Sequence, residues 1–339
     1  MIKTKISPIN ISMSYQWFNR FAGLTFDEGI ITDPIKRTEA MRECSRYLYS
    51  RFEDVGLGSA NPEPLPAAAA FCGDRFASAM FGCEIHYFQD QAPSVEAINA
   101  EPEQMLLLKM PDFDNNPIIN KFLSDAKILK NKYGKVSGGI NTGSPLNVAV
   151  SLYGEDFLYA CASHPEAAQH VLLVIGKTIY RLDREISPLA EPDAYPLSPK
   201  TGGLGNCPAI MISPGMYREV ILPMDLWYRS HVEEFHVHHC GVIDRYLDIY
   251  KEMTPATIDV GGGSDYELLR KTFPEMPCSL LIDTFKVEKM TQGQIDEFVS
   301  DIVRRASPRE LITRITCNDL SADVKDDTVR ALATVHERI

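Results

Sequence analysis

The chain has 339 residues, 45% of them hydrophobic and 24% charged, a globular composition able to bury a sizeable core in one α/β barrel with extensions. With 46 acidic residues against 34 basic ones the net charge is −12, a surface that repels polyphosphates and argues against nucleic acid as a partner. The opening segment MIKTKISPINIS lacks an apolar run of signal-peptide length, and no stretch reaches the ~18 apolar residues of a membrane span, so a cytoplasmic chain with no membrane partner is expected.

In chain order, residues 1–65 read as a mostly helical N-terminal extension and 66–339 as the barrel domain. Pro34 opens a long helical pattern through Met41, Tyr47, Leu48 and Phe52, which Gly56 and Gly58 end. The proline-rich run from Asn61 to Pro66 is a break. Lys135 to Ile140 reads as a strand, followed by the loop Asn141-Thr142-Gly143-Ser144-Pro145 and a helix through Val150. Gly202-Gly203-Leu204-Gly205-Asn206-Cys207 reads as a mobile loop, because its glycines remove backbone restraint. Four strand-helix units follow. Their strands are Glu233–His238, Ala256–Val260, Cys278–Asp283 and Leu311–Thr316, and a last helix runs from about Val324. Strands alternating with helices in this way predict a parallel α/β sheet, either doubly wound or a TIM (β/α)8 barrel.

Active sites of such folds lie at the C-terminal ends of the strands. His238, Cys240, Asp259, Asp283 and Cys317 fall there, whereas Cys278 falls at a strand start on the opposite face. The eight cysteines include no Cys-X-X-Cys pair and there is no His-Glu-X-X-His, so a metal site has to be assembled from distant segments. The densest chemical signal is Phe235-His236-Val237-His238-His239-Cys240-Gly241. Side chains two apart on an extended segment share a face, so His238 and Cys240 can address one point, with His236 deeper on the same side and His239 turned away. Histidine nitrogen and cysteine thiolate are ligands that Zn²⁺ favours, and a third from Cys317 would leave one position open for catalysis. The residues alone are equally compatible with a packed cluster.

His238-His239-Cys240 with a distant Cys317 resembles the His-X-Cys…Cys zinc motif of the uroporphyrinogen decarboxylase-like superfamily, in its corrinoid-dependent methyltransferase branch, which includes methylcobamide:coenzyme M methyltransferases. Phe81-Gly82-Cys83-Glu84, Pro93-Ser94-Val95, Ile212-Ser213-Pro214-Gly215-Met216-Tyr217-Arg218-Glu219 with Leu222-Pro223, and Cys317-Asn318-Asp319-Leu320 fall in that family's order. The resemblance covers about residues 70 to 335 and is loose before them. It implies a TIM barrel, with Zn²⁺ held by His238, Cys240 and Cys317 and used as a Lewis acid. It also implies a corrinoid (cobalamin) supplied by a corrinoid-binding partner protein, and a small-molecule methyl donor or acceptor such as an O- or N-methyl compound, a thiol or tetrahydrofolate. The alternatives on the same barrel are a tetrapyrrole- or corrinoid-binding protein without methyl transfer, or a divergent decarboxylase. The arginine cluster of true decarboxylases is missing from Tyr15-Gln16-Trp17-Phe18-Asn19-Arg20, and the residue after the last ligand is Asn318 where the family has glycine.

Asn141, Ser144, Asp74, Cys207, Asp259 and Asp283 are candidates for lining the substrate pocket. Asp259 and Asp283 are equally placed to cap the next turn, and Cys207 either approaches the metal or packs in the core. Gly261-Gly262-Gly263 matches neither phosphate-loop pattern and reads as a tight turn.

Overall fold

The computed structural model describes residues 6–190 and 201–339. Its strands are β1 (Asn10–Met13), β2 (Ile85–His86), β3 (Ser94–Val95), β4 (Thr201–Gly205), β5 (Glu234–His239), β6 (Thr257–Val260), β7 (Cys278–Leu281) and β8 (Ile312–Leu320). β2 and β3 form a small antiparallel pair. The other six make one sheet in the order β1-β8-β7-β6-β5-β4, with every neighbouring pair parallel.

From β4 to β8 each strand lies beside its successor, as helical crossovers between parallel strands require. The first strand lies beside the last, the relation that a closed barrel has. The hydrogen-bonded ladder is nevertheless six strands wide, not the eight expected. Among the described residues, the expected strand at 135–140 contributes only a bridge between Ser137 and Ala67, with Ser137 N–H donating to Pro66 O at 2.7 Å and Ala68 N–H to Ser137 O at 3.1 Å. Pro66 has no N–H to extend the ladder. The expected mobile loop at 202–207 is instead strand through Gly205, as part of β4, paired residue by residue with β5. β1 was not foreseen either, since four residues are too few for a periodic signal.

Local chemistry explains the helix ends. Asp33 accepts hydrogen bonds from the Ile35 and Lys36 N–H groups, and Pro34 stands where a helix needs no N–H, so the helix Pro34–Phe52 starts where the pattern places it. Thr291 and Gln294 form a reciprocal capping box at the head of Gln292–Arg305. No helix among the described residues is long and apolar enough to cross a membrane.

Alternation along the central strands separates core from cleft. Phe235, Val237 and His239 of β5, and Ile258 and Val260 of β6, are buried. His236, His238, Thr257 and Asp259 line a cleft on the other face. The N-terminal segment is pinned by Arg37, whose guanidinium donates to the Ile31 and Ala67 carbonyls and pairs with Asp125 at 3.5 Å, both side chains being 4% exposed. Lys121 also donates to Asp125, at 3.0 Å. Asp125→Ala leaves a buried guanidinium uncompensated and is expected to cost ~3–5 kcal/mol in urea unfolding. A loss below ~1 kcal/mol would mean that this pair does not hold the segment.

Candidate metal centre

Strand register builds the site. Gly205 is opposite His238, His238 opposite Asp259, Asp259 opposite Ser279 and Ser279 opposite Arg314, so β4 to β8 contribute one lateral row. Gly205 leaves space in that row, and Asp259 is its hub. The Asp259 carboxylate accepts from His238 Nδ1 at 3.1 Å and from the Ser279 hydroxyl, and lies 3.8 Å from the Arg314 guanidinium. Burial pushes the Asp259 carboxyl up, but His238, Ser279 and Arg314 outweigh it and hold the group below its ordinary value. An acceptor on Nδ1 fixes the tautomer of His238 and leaves Nε2 for another partner.

That partner lies at the strand ends. β4 runs through Asn206 into the turn Cys207–Met211, and Cys240 follows β5 directly. The ligand atoms of Cys207, His238 and Cys240 all lie within 4.8 Å of one another, the one such metal-capable group among the described residues. Cys207 and His238 also line the cleft of about 620 Å³, while Cys240 is exposed at the surface. The Cys207 thiol is held well below its usual range because it accepts a hydrogen bond from the Cys240 thiol and, despite burial, a second from His238. Cys240 is correspondingly raised. Asp259 first, and then Cys207, push His238 up to about 9. The hydrogen bonds from Cys240 and His238 thus favour negative charge at Cys207, the charge that a bound cation would also favour. One imidazole and two thiols match the preferences of a borderline-soft divalent ion, and three protein ligands would leave one position for a small molecule.

The structure brings Cys207, not Cys317, to His238 and Cys240. The sequence pattern ends the last strand at Thr316, which would put Cys317 just beyond it. β8 continues to Leu320, so Cys317 lies inside a strand, paired with Ile11. Arg314 lines the cleft, and alternation then turns Ile315 and Cys317 to the opposite face, where both are fully buried. Burial, with Glu288 and Asp283 adding to it, pushes the Cys317 thiol up to about 12. Cys278 is also buried, at its strand start, and accepts from Arg270.

His236 lines the cleft beneath His238 on the expected face, but its Nδ1 pairs with Thr257 Oγ1 at 2.6 Å rather than with a ligand. His239 faces the core, where burial lowers it to about 4 and its Nδ1 shares a 2.6 Å hydrogen bond with the Tyr250 hydroxyl. Asp74 and Asn141 line the cleft. Ser144 does not: it is buried as the N-cap of the helix Pro145–Tyr153, accepting from Asn147 N–H. Asp283 caps the turn Thr284–Val287 and is likewise absent from the cleft wall. Among the cleft residues that the sequence reading missed are two arginines. Arg314 was legible from alternation along β8. Arg75, which donates to Ser151 Oγ at 2.8 Å, lies in a segment without periodicity.

Because Asp259 orients His238, Asp259→Ala is expected to weaken metal binding ~10–100-fold, read by chelator competition. Unchanged affinity would separate Asp259 from the cluster.

No family model matches the chain, and no curated protein matches it. Among solved structures, a methyltransferase from Methanosarcina mazei superposes with a TM-score of 0.57 over 99% of this chain and 94% of that one, at 13% sequence identity. At that identity the likeness is one of fold: the chain and this methyltransferase share an architecture over nearly their whole lengths.

Proposed function

We propose that the chain is a zinc-dependent methyltransferase of the (β/α)8 type. It would bind Zn²⁺ through Cys207, His238 and Cys240, and move a methyl group between a corrinoid protein and a small molecule held in the adjoining cleft. The observation that carries the reading is the convergence of one imidazole and two thiols at the strand ends, beside the cleft where this fold class places its chemistry. The shared architecture with a methyltransferase and the resemblance of the His-X-Cys segment to the corrinoid branch point the same way.

When bound, zinc supplies Lewis acidity, lowering the pKa of a thiol or water so that a nucleophile exists near neutral pH. The protein's own groups do the rest. Asp259 holds His238 by Nδ1, and Ser279 and Arg314 keep Asp259 ionised. His236, held by Thr257, and Arg75, held by Ser151, both line the cleft and would offer polar groups to its occupant. Partly exposed Cys207 and exposed Cys240 leave the cluster open to a large partner.

The test has two parts. Protein purified without chelator is expected to contain about one zinc per chain. It is also expected to change the visible spectrum of cob(I)alamin or methylcobalamin in the presence of a methyl donor or a thiol, and to lose that activity with the metal. Absence of zinc refutes the metal reading. Transfer undiminished in metal-free protein refutes zinc as the activator.

A further inference from the structure

The three groups come from two segments, and a buried polar cluster beneath them ties both segments down. Asn206, fully buried and immediately before Cys207, donates from its backbone N–H to the His238 carbonyl at 2.8 Å. Its side-chain amide donates to the Tyr217 hydroxyl at 2.5 Å and to Asp225 Oδ2 at 3.0 Å, and Tyr217 donates to the same carboxylate oxygen at 2.5 Å. The Tyr246 hydroxyl lies against the carbonyl oxygens of Ala209 and Ile212, 2.6 Å from the latter, and so clamps the turn that carries Cys207. Tyr250 reaches the other segment through His239, the residue between His238 and Cys240. The rings of Tyr217, Tyr246 and Tyr250 pack against one another with centroids 5.8–6.2 Å apart, and Asp225 is fully buried.

We propose that this tyrosine–aspartate cluster is the positioning device of the metal centre, setting the spacing between Cys207 and the His238–Cys240 segment without touching metal or substrate. The inference rests on the metal reading above. A hydrophobic floor would hold the two segments equally well by packing. It would not fix the turn at Asn206 to Ile212, whose carbonyls and amide are tied by directional hydrogen bonds to side chains from three separate places in the chain: Tyr217, Asp225 and Tyr246. A ligand set works only when its atoms are held to within a fraction of an ångström, so loss of one tie acts on affinity before it acts on folding.

The experiment compares Tyr246→Phe and Tyr217→Phe, which keep the rings and remove the hydroxyls, with Tyr47→Phe, which removes a hydroxyl bonded to the remote Phe21 carbonyl. Zn²⁺ affinity is read by chelator competition, and the melting temperature of each metal-free protein is measured separately. Tyr246→Phe and Tyr217→Phe are expected to bind Zn²⁺ ~10–100-fold more weakly. Tyr47→Phe is expected to stay within about twofold of wild type, whatever its melting temperature. If one cluster variant does not fold, the other decides. Wild-type affinity in a folded cluster variant, or an equal loss in Tyr47→Phe, overturns the positioning role and leaves the metal reading intact. A wild-type protein that binds no Zn²⁺ overturns both.

Discussion

Cys207→Ala is expected to lower zinc affinity on the order of 100-fold or more, while Cys317→Ala retains the metal. Binding free energies of ~10–16 kcal/mol for four-ligand zinc sites put the share of each ligand at several kcal/mol, so losing one of three thiolate or imidazole donors is a large effect. Cys317 has no donor partner in the cluster and is packed on the opposite face of β8, so its truncation removes core volume and is expected to cost ~1–2 kcal/mol of stability only. Metal analysis and urea unfolding of the two variants separate these effects. Retention of zinc by Cys207→Ala with loss in Cys317→Ala would restore the ligand set that the sequence resemblance implies.

Gly261→Ala is expected to damage both the fold and the metal centre. A Cβ at Gly261 would lie 2.2 Å from the Gly241 carbonyl oxygen and 2.3 Å from that of Cys240, so the backbone carrying Cys240 must move. Backbone cannot rotate aside as a side chain can, and overpacking of this kind costs ~1–3 kcal/mol or more. Displacement of Cys240 is expected to lower zinc affinity at least tenfold, because a ligand moved by an ångström no longer shares the coordination sphere. Gly293→Ala is the control, since a Cβ there meets nothing within 4 Å. It should bind zinc as wild type does and, lying inside a helix, be neutral or slightly stabilised. Wild-type zinc affinity in Gly261→Ala would show that the Cys240 loop does not set the site. The run Gly261-Gly262-Gly263 thus has a physical reason that a phosphate loop does not supply: Gly261 permits close approach of two strand-end loops.

Close packing also governs which elements the sequence discloses and which it conceals. β5 and β6 are legible because β-branched and aromatic residues alternate with polar ones, and that alternation also names His236, His238 and Asp259 as cleft residues, whereas β7 is legible as a short apolar run. Thr201–Gly205 carries no such signal. Its glycines suggest mobility, yet a Cβ on Gly202 would lie 2.7 Å from Val232 and 3.0 Å from the Tyr228 hydroxyl, so glycine is there for close packing against neighbours. Once that segment is recognised as a strand, the strand-end rule alone points to Cys207. Cys317 fails for the reciprocal reason, since three further residues of strand beyond it decide on which face it falls. Ser144 and Asp283 show a different limit. A polar residue at a strand-to-helix turn satisfies the rule for a pocket and the rule for a helix cap equally well, and only the hydrogen-bond partner separates them.

X-ray absorption at the zinc edge of the purified protein reads the ligand set itself. Two sulfur scatterers near ~2.3 Å and one histidine nitrogen near ~2.0 Å are expected, with a light atom completing the shell. One sulfur is expected to be lost in Cys207→Ala and none in Cys317→Ala. A shell of oxygen and nitrogen alone, or a two-sulfur shell that survives in Cys207→Ala, would contradict that ligand set.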